Sequence, residues 1–485
     1  MNFKMIGRIF APILAVEAAF MLPALLICLV DGDLHAAYSF VCTIAIIAVT
    51  AAGLWAWCRK APKGFRAREG LICVGSSWVL VSLFGCLPFV LSGQIPNFID
   101  ALFEIVSGFT TTGASIVPQV ENLSRGILYW RSFSHWLGGM GILVFILAIV
   151  PVSRRSGGFT LHLLRAESPG PNVVKLVPHM KKTAAILYLL YILLTLINFL
   201  FLLFGKMPWF DALCTTFGTA GTGGFGIKSD SMAGYSPYIQ NVCTVFMMLF
   251  GVNFSCYYLL LIRQFRSVLK DEELRLYLMI LLGSTLLITW NICDYYTNLG
   301  EAFRQAAFQV SSIMTTTGFA TTDFNQWPNF SKSILLCLMF AGACSGSTGG
   351  GIKCGRIVLL LKSLRRSIQK LLHPQAVHVV RMNRQVIDEN ILESTNVYLA
   401  AYVLIVISSF ILISIDGFSL TTNFSAVLSC FNNIGPGLEL VGPASNYASY
   451  SAFSKFVLIV DMLAGRLEIY PILVLFFGAA RGRIE

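Results

Sequence analysis

The stretch "GFTTTGASI" (residues 108–116) follows a short apolar segment and precedes a longer one, and nearly the same letters return as "IMTTTGFAT" (residues 313–321). Glycine weakens both helices and strands, and threonine weakens helices. Each stretch nevertheless stands beside a segment long enough to cross a membrane. The repetition therefore predicts a duplicated membrane unit that contains irregular backbone.

The composition is that of a membrane protein. Of the 485 residues, 56% are hydrophobic and 12% are charged, whereas soluble domains carry about 25% charged residues. Apolar runs near the ~20 residues needed to cross a bilayer recur along the whole chain. They predict an all-α integral membrane protein with about ten transmembrane helices, at 8–30, 36–57, 70–92, 129–151, 183–204, 237–262, 275–296, 332–362, 396–415 and 453–479.

The segments between these helices alternate between basic and poor in basic residues. The basic ones lie at 58–69, 153–182, 263–270 and 363–384. Because cytoplasmic loops are enriched in Lys and Arg, both termini are predicted to be cytoplasmic. The net charge of +11 then reflects topology, with attraction to anionic membrane lipids as a second effect. It does not indicate binding to nucleic acid.

Each segment poor in basic residues contains a short apolar stretch, a Gly-rich element and then the next long helix. A stretch of about 12 residues is too short to span a bilayer, so we expect four re-entrant pore helices. The four units form membrane-pore-membrane repeats around one pore, and a two-helix extension at 1–69 precedes them in the chain. The predicted repeats are 70–152, 183–262, 275–362 with a broken second helix, and 396–485.

The Gly-rich elements predict a cation filter. Irregular backbone at membrane depth is tolerated only where it is buried in protein or lines a water-filled path. Four strands around one axis can aim carbonyl oxygens inward and replace the hydration shell of a potassium ion. The predicted filter residues are Thr111, Thr112, Gly113, Thr222, Gly223, Gly224, Thr316, Thr317, Gly318, Asn433, Ile434 and Gly435.

In the second element Gly221, Gly223 and Gly224 all fit. We favour Gly224 because a Phe follows it, as one follows Gly318. Each pore helix would direct the partial negative charge of its C-terminus at the filter, which favours a cation.

The segment 332–362 predicts an interruption. As one helix it would be about 46 Å long at ~1.5 Å per residue, too long for a bilayer. Its middle, "AGACSGSTGGGIK" (341–353), contains three consecutive glycines, each costing about 1 kcal/mol in a helix. The alternatives are a small-residue face for close helix packing and a phosphate loop, which the missing Gly-Lys-Ser/Thr ending disfavours.

The last apolar run contains three charged residues, Asp461, Arg466 and Glu468. Charges inside a membrane are costly and usually have a role. Arg466 either faces the pore below the filter or forms a buried ion pair with Glu468 or Asp461. The sequence leaves both possibilities open.

The chain resembles the TrkH/KtrB/HKT superfamily of potassium transporters over its whole length, and its two extra N-terminal helices resemble the bacterial TrkH branch. The motifs that carry the resemblance are "TTTGAS" (110–115), "WLGGMGILVF" (136–145), "GGFG" (223–226), "TTTGFATTD" (315–323) and "NNIGPGLE" (432–439). The resemblance implies potassium uptake across the bacterial inner membrane. Some plant relatives have Ser in place of the first filter glycine and pass sodium, so Gly113 favours potassium.

The resemblance further implies a gate and partners. The gate would be an intramembrane loop at about 343–351, with Arg466 contacting it from the last helix. Its residues would be Ser345, Gly346, Gly349, Gly350, Gly351 and Arg466. A homodimer is implied, with a cytoplasmic TrkA-type regulatory subunit that binds NAD or ATP. This chain has no visible nucleotide site, so potassium is its one expected ligand.

Two other functions fit less well. A proton- or sodium-coupled potassium symporter needs a titrating carboxylate in the ion path, and Asp461 and Glu468 are the candidates. A membrane-embedded enzyme needs a nucleophile with a base, or a metal cluster. The six histidines and thirteen cysteines have no such spacing, so we expect a protein that is not an enzyme.

Overall fold

Helices form nearly all regular structure in the computed structural model, which describes residues 3–59, 67–139, 141, 180–376 and 378–480. The N-terminal extension is α1 (Phe3–Val30) and α2 (Leu34–Cys58). Repeat 1 contains α3 (Ala67–Gly85), α4 (Leu87–Leu91), the pore helix α5 (Phe98–Phe109) and α6 (Arg125–Gly139). Repeat 2 contains α7 (Met180–Phe204), the pore helix α8 (Trp209–Gly221), α9 (Pro237–Phe250) and α10 (Phe254–Leu261), and α11 (Phe265–Leu269) follows.

The second half has the same order of elements. Repeat 3 contains α12 (Glu272–Ile292), the pore helix α13 (Leu299–Met314), α14 (Asn329–Phe340) and α15 (Cys354–Leu372). A two-stranded hairpin, β1 (Arg381–Met382) and β2 (Gln385–Val386), precedes repeat 4. That repeat contains α16 (Glu389–Ile413), the pore helix α17 (Leu420–Phe431), α18 (Ala452–Arg466) and α19 (Tyr470–Ala480).

Helices long enough to cross a membrane occur in the N-terminal extension and as the first span of the repeats. Six spans in the described part of the chain are long and apolar enough to cross a membrane, and the one in repeat 1 comprises α3 and α4 with a turn at Cys86 between them. They are the two helices of the extension and the first span of each repeat. The second span of repeats 2, 3 and 4 is divided into two helices, and that of repeat 1 is described as α6, since residues 140 and 142–151 of the predicted span 129–151 lie outside the described residues.

Two of these interruptions were not predicted. The segment 237–262 is bent by 89° between α9 and α10, where the Asn253 side chain accepts a hydrogen bond from Ser255 N at 2.9 Å and so starts a new helix. The segment 453–479 divides after Arg466, because Glu468 and Ile469 have left-handed φ values of 59° and 68°. The interruption that was predicted within 332–362 falls between Phe340 and Cys354.

The four repeats close into a ring. The pore helix α8 packs against α6, α13 against α9, and α17 against α14, so each contacts the second span of the preceding repeat. The circle closes because α5, in repeat 1, packs against α18 of repeat 4. The extension packs outside this ring, with α1 against α3 and α6.

Glycines allow the second spans to approach the pore helices. A Cβ atom on Gly138 of α6 would lie 1.8 Å from the carbonyl oxygen of Phe109, the last residue of α5. A Cβ on Gly465 of α18 would lie 1.7 Å from the carbonyl oxygen of Phe431, the last residue of α17. Both distances are far below van der Waals contact, so these positions require glycine.

We therefore predict that Gly465→Ala destabilises the protein by about 1–3 kcal/mol, the usual cost of overpacking. Gly283→Ala in α12 is the control, because nothing lies within 4 Å of the added methyl group and alanine favours a helix by up to ~1 kcal/mol. Thermal unfolding in detergent should show a lower Tm for the first variant and an equal or higher Tm for the second. Equal Tm values for Gly465→Ala and the parent would contradict the close approach.

Candidate functional site

The four Gly-rich elements share one backbone conformation. In each, a residue just after the pore helix has a left-handed φ, and the glycine two positions later has one as well. The φ pairs are 57° and 77° at Thr111 and Gly113, 54° and 73° at Thr222 and Gly224, 58° and 86° at Thr316 and Gly318, and 57° and 100° at Asn433 and Gly435. This pattern places Gly224, rather than Gly221 or Gly223, at the position equivalent to the other three glycines.

The four elements also touch one another in a closed circle. A Cβ on each left-handed glycine would collide with a backbone carbonyl oxygen of the next repeat. These distances are 1.9 Å from Gly113 to Gly223 O, 1.9 Å from Gly224 to Thr317 O, 2.2 Å from Gly318 to Ile434 O and 2.7 Å from Gly435 to Thr112 O. The elements thus surround one axis, and we call them the filter ring.

Loops beyond the filter ring follow the same circle. Tyr447 N donates to Ser115 O at 2.8 Å and joins repeat 4 to repeat 1. The other three links are Ser229 N to Glu121 at 2.6 Å, Met232 N to Ala320 O at 2.9 Å, and Glu439 N to the Asn325 side chain at 2.9 Å. The hydrogen bonds from Ser229 hold the pKa of the Glu121 carboxyl below its usual value, so this link persists in mildly acidic solution.

Above the filter ring lies a cavity of about 120 Å³, which is lined by Gly113, Gly224, Gly318 and Gly435 together. All four elements are therefore accessible from one chamber. The C-terminal ends of the four pore helices lie at the ring, and their partial negative charge favours a cation there.

The Gly-rich segment between α14 and α15 lies directly beneath the ring. Gly350 N donates to Thr316 Oγ1 at 2.6 Å, and a Cβ on Gly350 would lie 2.5 Å from Asn432 O. A Cβ on Gly349 would lie 2.9 Å from Thr315 O. The ends of this segment are joined, because Gly342 N donates to Ile352 O at 2.9 Å. We call residues 341–353 the intramembrane loop.

The predicted gate residues divide between two places. Gly349 and Gly350 lie under the filter ring, as described, and Gly351 follows with a left-handed φ of 68°. Ser345 and Gly346 lie instead beside the bend of repeat 2, where Gly346 O accepts from Phe254 N at 3.1 Å. The bent span of repeat 2 thus supports the far side of the loop.

Arg466 connects three elements below the ring. Its guanidinium donates to Thr111 Oγ1 at 3.2 Å, to Thr348 O in the intramembrane loop at 2.8 Å, and to Gly139 O of α6 at 2.7 Å. The carboxylates considered as its partners have others: Glu468 pairs with Arg356, and Asp461 accepts from Ser409 Oγ at 2.7 Å. Arg466 therefore contacts the ring and the intramembrane loop.

Sequence reasoning missed two buried charged residues at the intramembrane loop. Lys353 is buried, donates from its Nζ to Gly349 O, and lies near enough to Arg466 to interact with it electrostatically. Glu273 at the start of α12 accepts from Ser345 N at 2.5 Å and from Gly355 N at 2.8 Å, so it joins the first half of the loop to the start of α15. Lys353 follows the glycines directly and could have been noticed, whereas Glu273 in "DEELR" is typical of an ordinary helix start.

The sequence and the structure of this chain are both similar to those of known proteins. The TrkH family model, described as a cation transport protein, matches residues 37–480. The chain belongs to the TrkH family. The resemblance inferred from the motifs is confirmed.

Full-length TrkH proteins are similar to this chain. It is 37% identical to the Trk system potassium uptake protein TrkH of Salmonella typhimurium, over 98% of this chain and 99% of that protein. It is 32% identical to the Trk system potassium uptake protein TrkG of Escherichia coli, over 94% of each. The crystal structure of the potassium transporter TrkH from Vibrio parahaemolyticus matches with a TM-score of 0.85 at 32% identity, over 98% of both chains. The predicted fold class, a multi-pass all-α membrane protein with re-entrant pore helices, is confirmed.

We predict that Glu273→Ala loosens the intramembrane loop. The variant leaves two buried backbone N–H groups without their acceptor, which costs about 1–3 kcal/mol for each. Amide hydrogen exchange measured on peptides covering 341–355 should become at least about tenfold faster. Glu272→Ala is the control, since its carboxylate pairs with Lys362 on the partly exposed surface. Unchanged exchange in Glu273→Ala would show that the loop is held by other contacts.

Proposed function

We propose that this TrkH-family chain takes up potassium ions across the bacterial inner membrane through the pore at the centre of its four repeats. The closed ring of four left-handed glycines and their neighbouring carbonyls carries this proposal. Several relatives are named potassium uptake proteins, which supports potassium as the ion. Both termini would be cytoplasmic, as the basic loops predict.

Selection would depend on backbone carbonyls. An ion that enters the ring loses its water shell. Oxygen atoms at fixed positions must replace that shell. The carbonyls of Thr111, Thr112, Gly223, Thr317 and Ile434 and of their equivalents would supply these oxygens. Left-handed φ values at alternate residues aim successive carbonyls in a way that ordinary strands do not.

The intramembrane loop with Arg466 would form the gate. The loop lies beneath the ring and contacts it through the hydrogen bond from Gly350 N to Thr316 Oγ1, so it would cross the proposed path. The buried guanidinium of Arg466 would repel a potassium ion at this level, and Lys353 would add to the repulsion when its amine is protonated, because Coulomb energies are large away from bulk water. Opening would require the loop to move and these charges to withdraw from the axis.

Protein partners would control the opening of the pore. We propose a homodimer and a cytoplasmic TrkA-type subunit that carries NAD or ATP, while this chain binds no nucleotide. Exposed Arg365 and Lys370 on α15 form a basic face that fits such a partner. The partner can gate the pore only if it binds the open and closed states with different affinities.

The alternative is a proton- or sodium-coupled symporter. Asp461 supports it, because its carboxylate is buried and one of its oxygens has no hydrogen-bond partner. Asp461 contacts Ser409 rather than the filter ring, and Glu468 is neutralised by Arg356. Because the described partners of both carboxylates lie outside the filter ring, we favour a conducting pore.

The deciding experiment measures potassium and sodium flux into liposomes that contain the purified chain, with and without an imposed proton gradient. A pore predicts downhill potassium flux that does not change with the proton gradient and exceeds sodium flux. Potassium accumulation against its own gradient, driven only by inward proton or sodium flow, would establish symport instead. The Glu273→Ala variant should raise the flux if the intramembrane loop is the gate.

We predict that Gly113→Ser lowers the ratio of potassium to sodium flux by about tenfold or more. The added Cβ would lie 1.9 Å from Gly223 O, so the carbonyl must move and the ring can no longer match the ion. Gly32→Ser is a matched control, because Gly32 also has a left-handed φ, 75°, but nothing within 4 Å. An unchanged flux ratio in Gly113→Ser would place the filter elsewhere.

A further inference from the structure

Behind the filter ring, three buried side chains connect the elements of repeats 1 and 2. Glu104 belongs to the pore helix α5, and Arg131 and His135 belong to α6. Arg131 and His135 are four residues apart and therefore lie on one face of the helix. All three are almost completely excluded from solvent, with exposed fractions of 0%, 2% and 0%.

Glu104 holds the chain that follows Gly113. Its Oε2 accepts from Ile116 N at 2.9 Å, and its Oε1 accepts from Ser115 Oγ at 2.9 Å. The same carboxylate forms an ion pair with Arg131 Nε at 2.5 Å. Arg131 is thereby fixed in place from the side of repeat 1.

Arg131 and His135 hold the chain that follows Gly224. Arg131 Nη1 donates to Gly226 O at 2.8 Å, and the guanidinium lies over the Phe225 ring at 3.6 Å. Phe225 N donates to His135 Nε2 at 3.2 Å. One face of α6 therefore binds both a donor and an acceptor of the second element.

The contacts of His135 define its protonation. Because Nε2 accepts from a backbone N–H, it carries no proton, and Nδ1 must then donate to Gly108 O at 2.8 Å. The ring is the neutral Nδ1–H form, and it joins the end of the first pore helix to the second filter element. It also fills the space behind Gly223, where a Cβ would lie 2.2 Å from the imidazole.

Neutral side chains support the other two elements. Ser312 Oγ donates to Phe319 O at 2.5 Å in repeat 3, and Tyr447 Oη donates to Gly435 O at 2.8 Å in repeat 4. A buried ion pair costs several kcal/mol in desolvation unless its hydrogen bonds are nearly complete. The hydrogen bonds that Glu104 and Arg131 make to both elements thus hold the first and second elements at a defined distance.

We propose that Glu104, Arg131 and His135 are positioning residues that determine how strongly the pore discriminates potassium from sodium. They act through the spacing of the first two filter elements and do not touch the ion. A smaller ion is rejected only if the carbonyls cannot close around it, which requires support from behind. This inference rests on the proposed potassium-conducting function.

The test is the ratio of potassium to sodium flux in liposomes for His135→Phe and Glu104→Gln. Phe keeps an aromatic ring beside Phe225 but makes neither hydrogen bond, and Gln removes the charge that neutralises Arg131. Each variant should lower the flux ratio at least about fivefold while potassium still passes. His135→Gln, which keeps a donor and an acceptor, should retain more of the ratio than His135→Phe.

Arg125→Gln is the matched control, because Arg125 also belongs to α6 but forms a partly exposed pair with Asp31. A merely structural role would reduce the amount of folded protein and lower both fluxes equally. Folded variants with the parental ratio would therefore overturn the inference. A parent chain that shows no preference for potassium would instead refute the proposed function, so the two failures are distinguishable. If His135→Phe does not fold, Glu104→Gln decides by the same ratio.

Discussion

Backbone amides and carbonyls cannot be left unpaired in hydrocarbon, and this constraint organises the whole molecule. Each unpaired group costs several kcal/mol, so four non-helical elements at membrane depth must be enclosed by protein or face water. The chain satisfies the requirement by closing the elements into a ring, where the last repeat contacts the first through Gly435 and Thr112. The first spans of repeats 2, 3 and 4 remain uninterrupted, because they need only a regular helix to pair their backbone.

Residues with left-handed φ values raise the conformational energy of the ring, but the close packing of the four elements requires them. A non-glycine residue such as Thr111 or Asn433 in that conformation costs about 1–3 kcal/mol, yet it recurs in all four elements. The neighbouring carbonyls leave room only for glycine two positions later, so a side chain there would force the elements apart. Side chains behind the ring, among them Glu104 and His135, maintain this arrangement. The strain is therefore localised where the ion would be dehydrated.

The sequence predicted features that depend on local pattern. Hydropathy predicted the first spans of the repeats, and the three glycines before Ile352 predicted the interruption within 332–362. Both signals are local, because apolar runs and helix-breaking residues affect only the backbone near them. Features that depend on distant partners were not predictable. The bend after Phe250 lies within a continuous apolar run, and Glu273 is read as an ordinary helix start until Gly355 is placed beside it. The position of Arg466 was also left open, because Thr348 and Gly139, which it contacts, belong to other repeats.

Fusing four repeats in one chain allows charges that a symmetric tetramer could not hold. Two unit charges ~4 Å apart repel by about 4 kcal/mol at an effective dielectric constant of 20, and fourfold symmetry would place every charge near the axis four times. Here a single Arg466 comes from repeat 4, a single Lys353 from repeat 3, and the Glu104–Arg131 pair from repeat 1. Because each repeat changes independently, one can carry a blocking charge while another stabilises the filter ring. In the proposed pore, the asymmetry of the charges would let a nearly symmetric ring be both selective and closable.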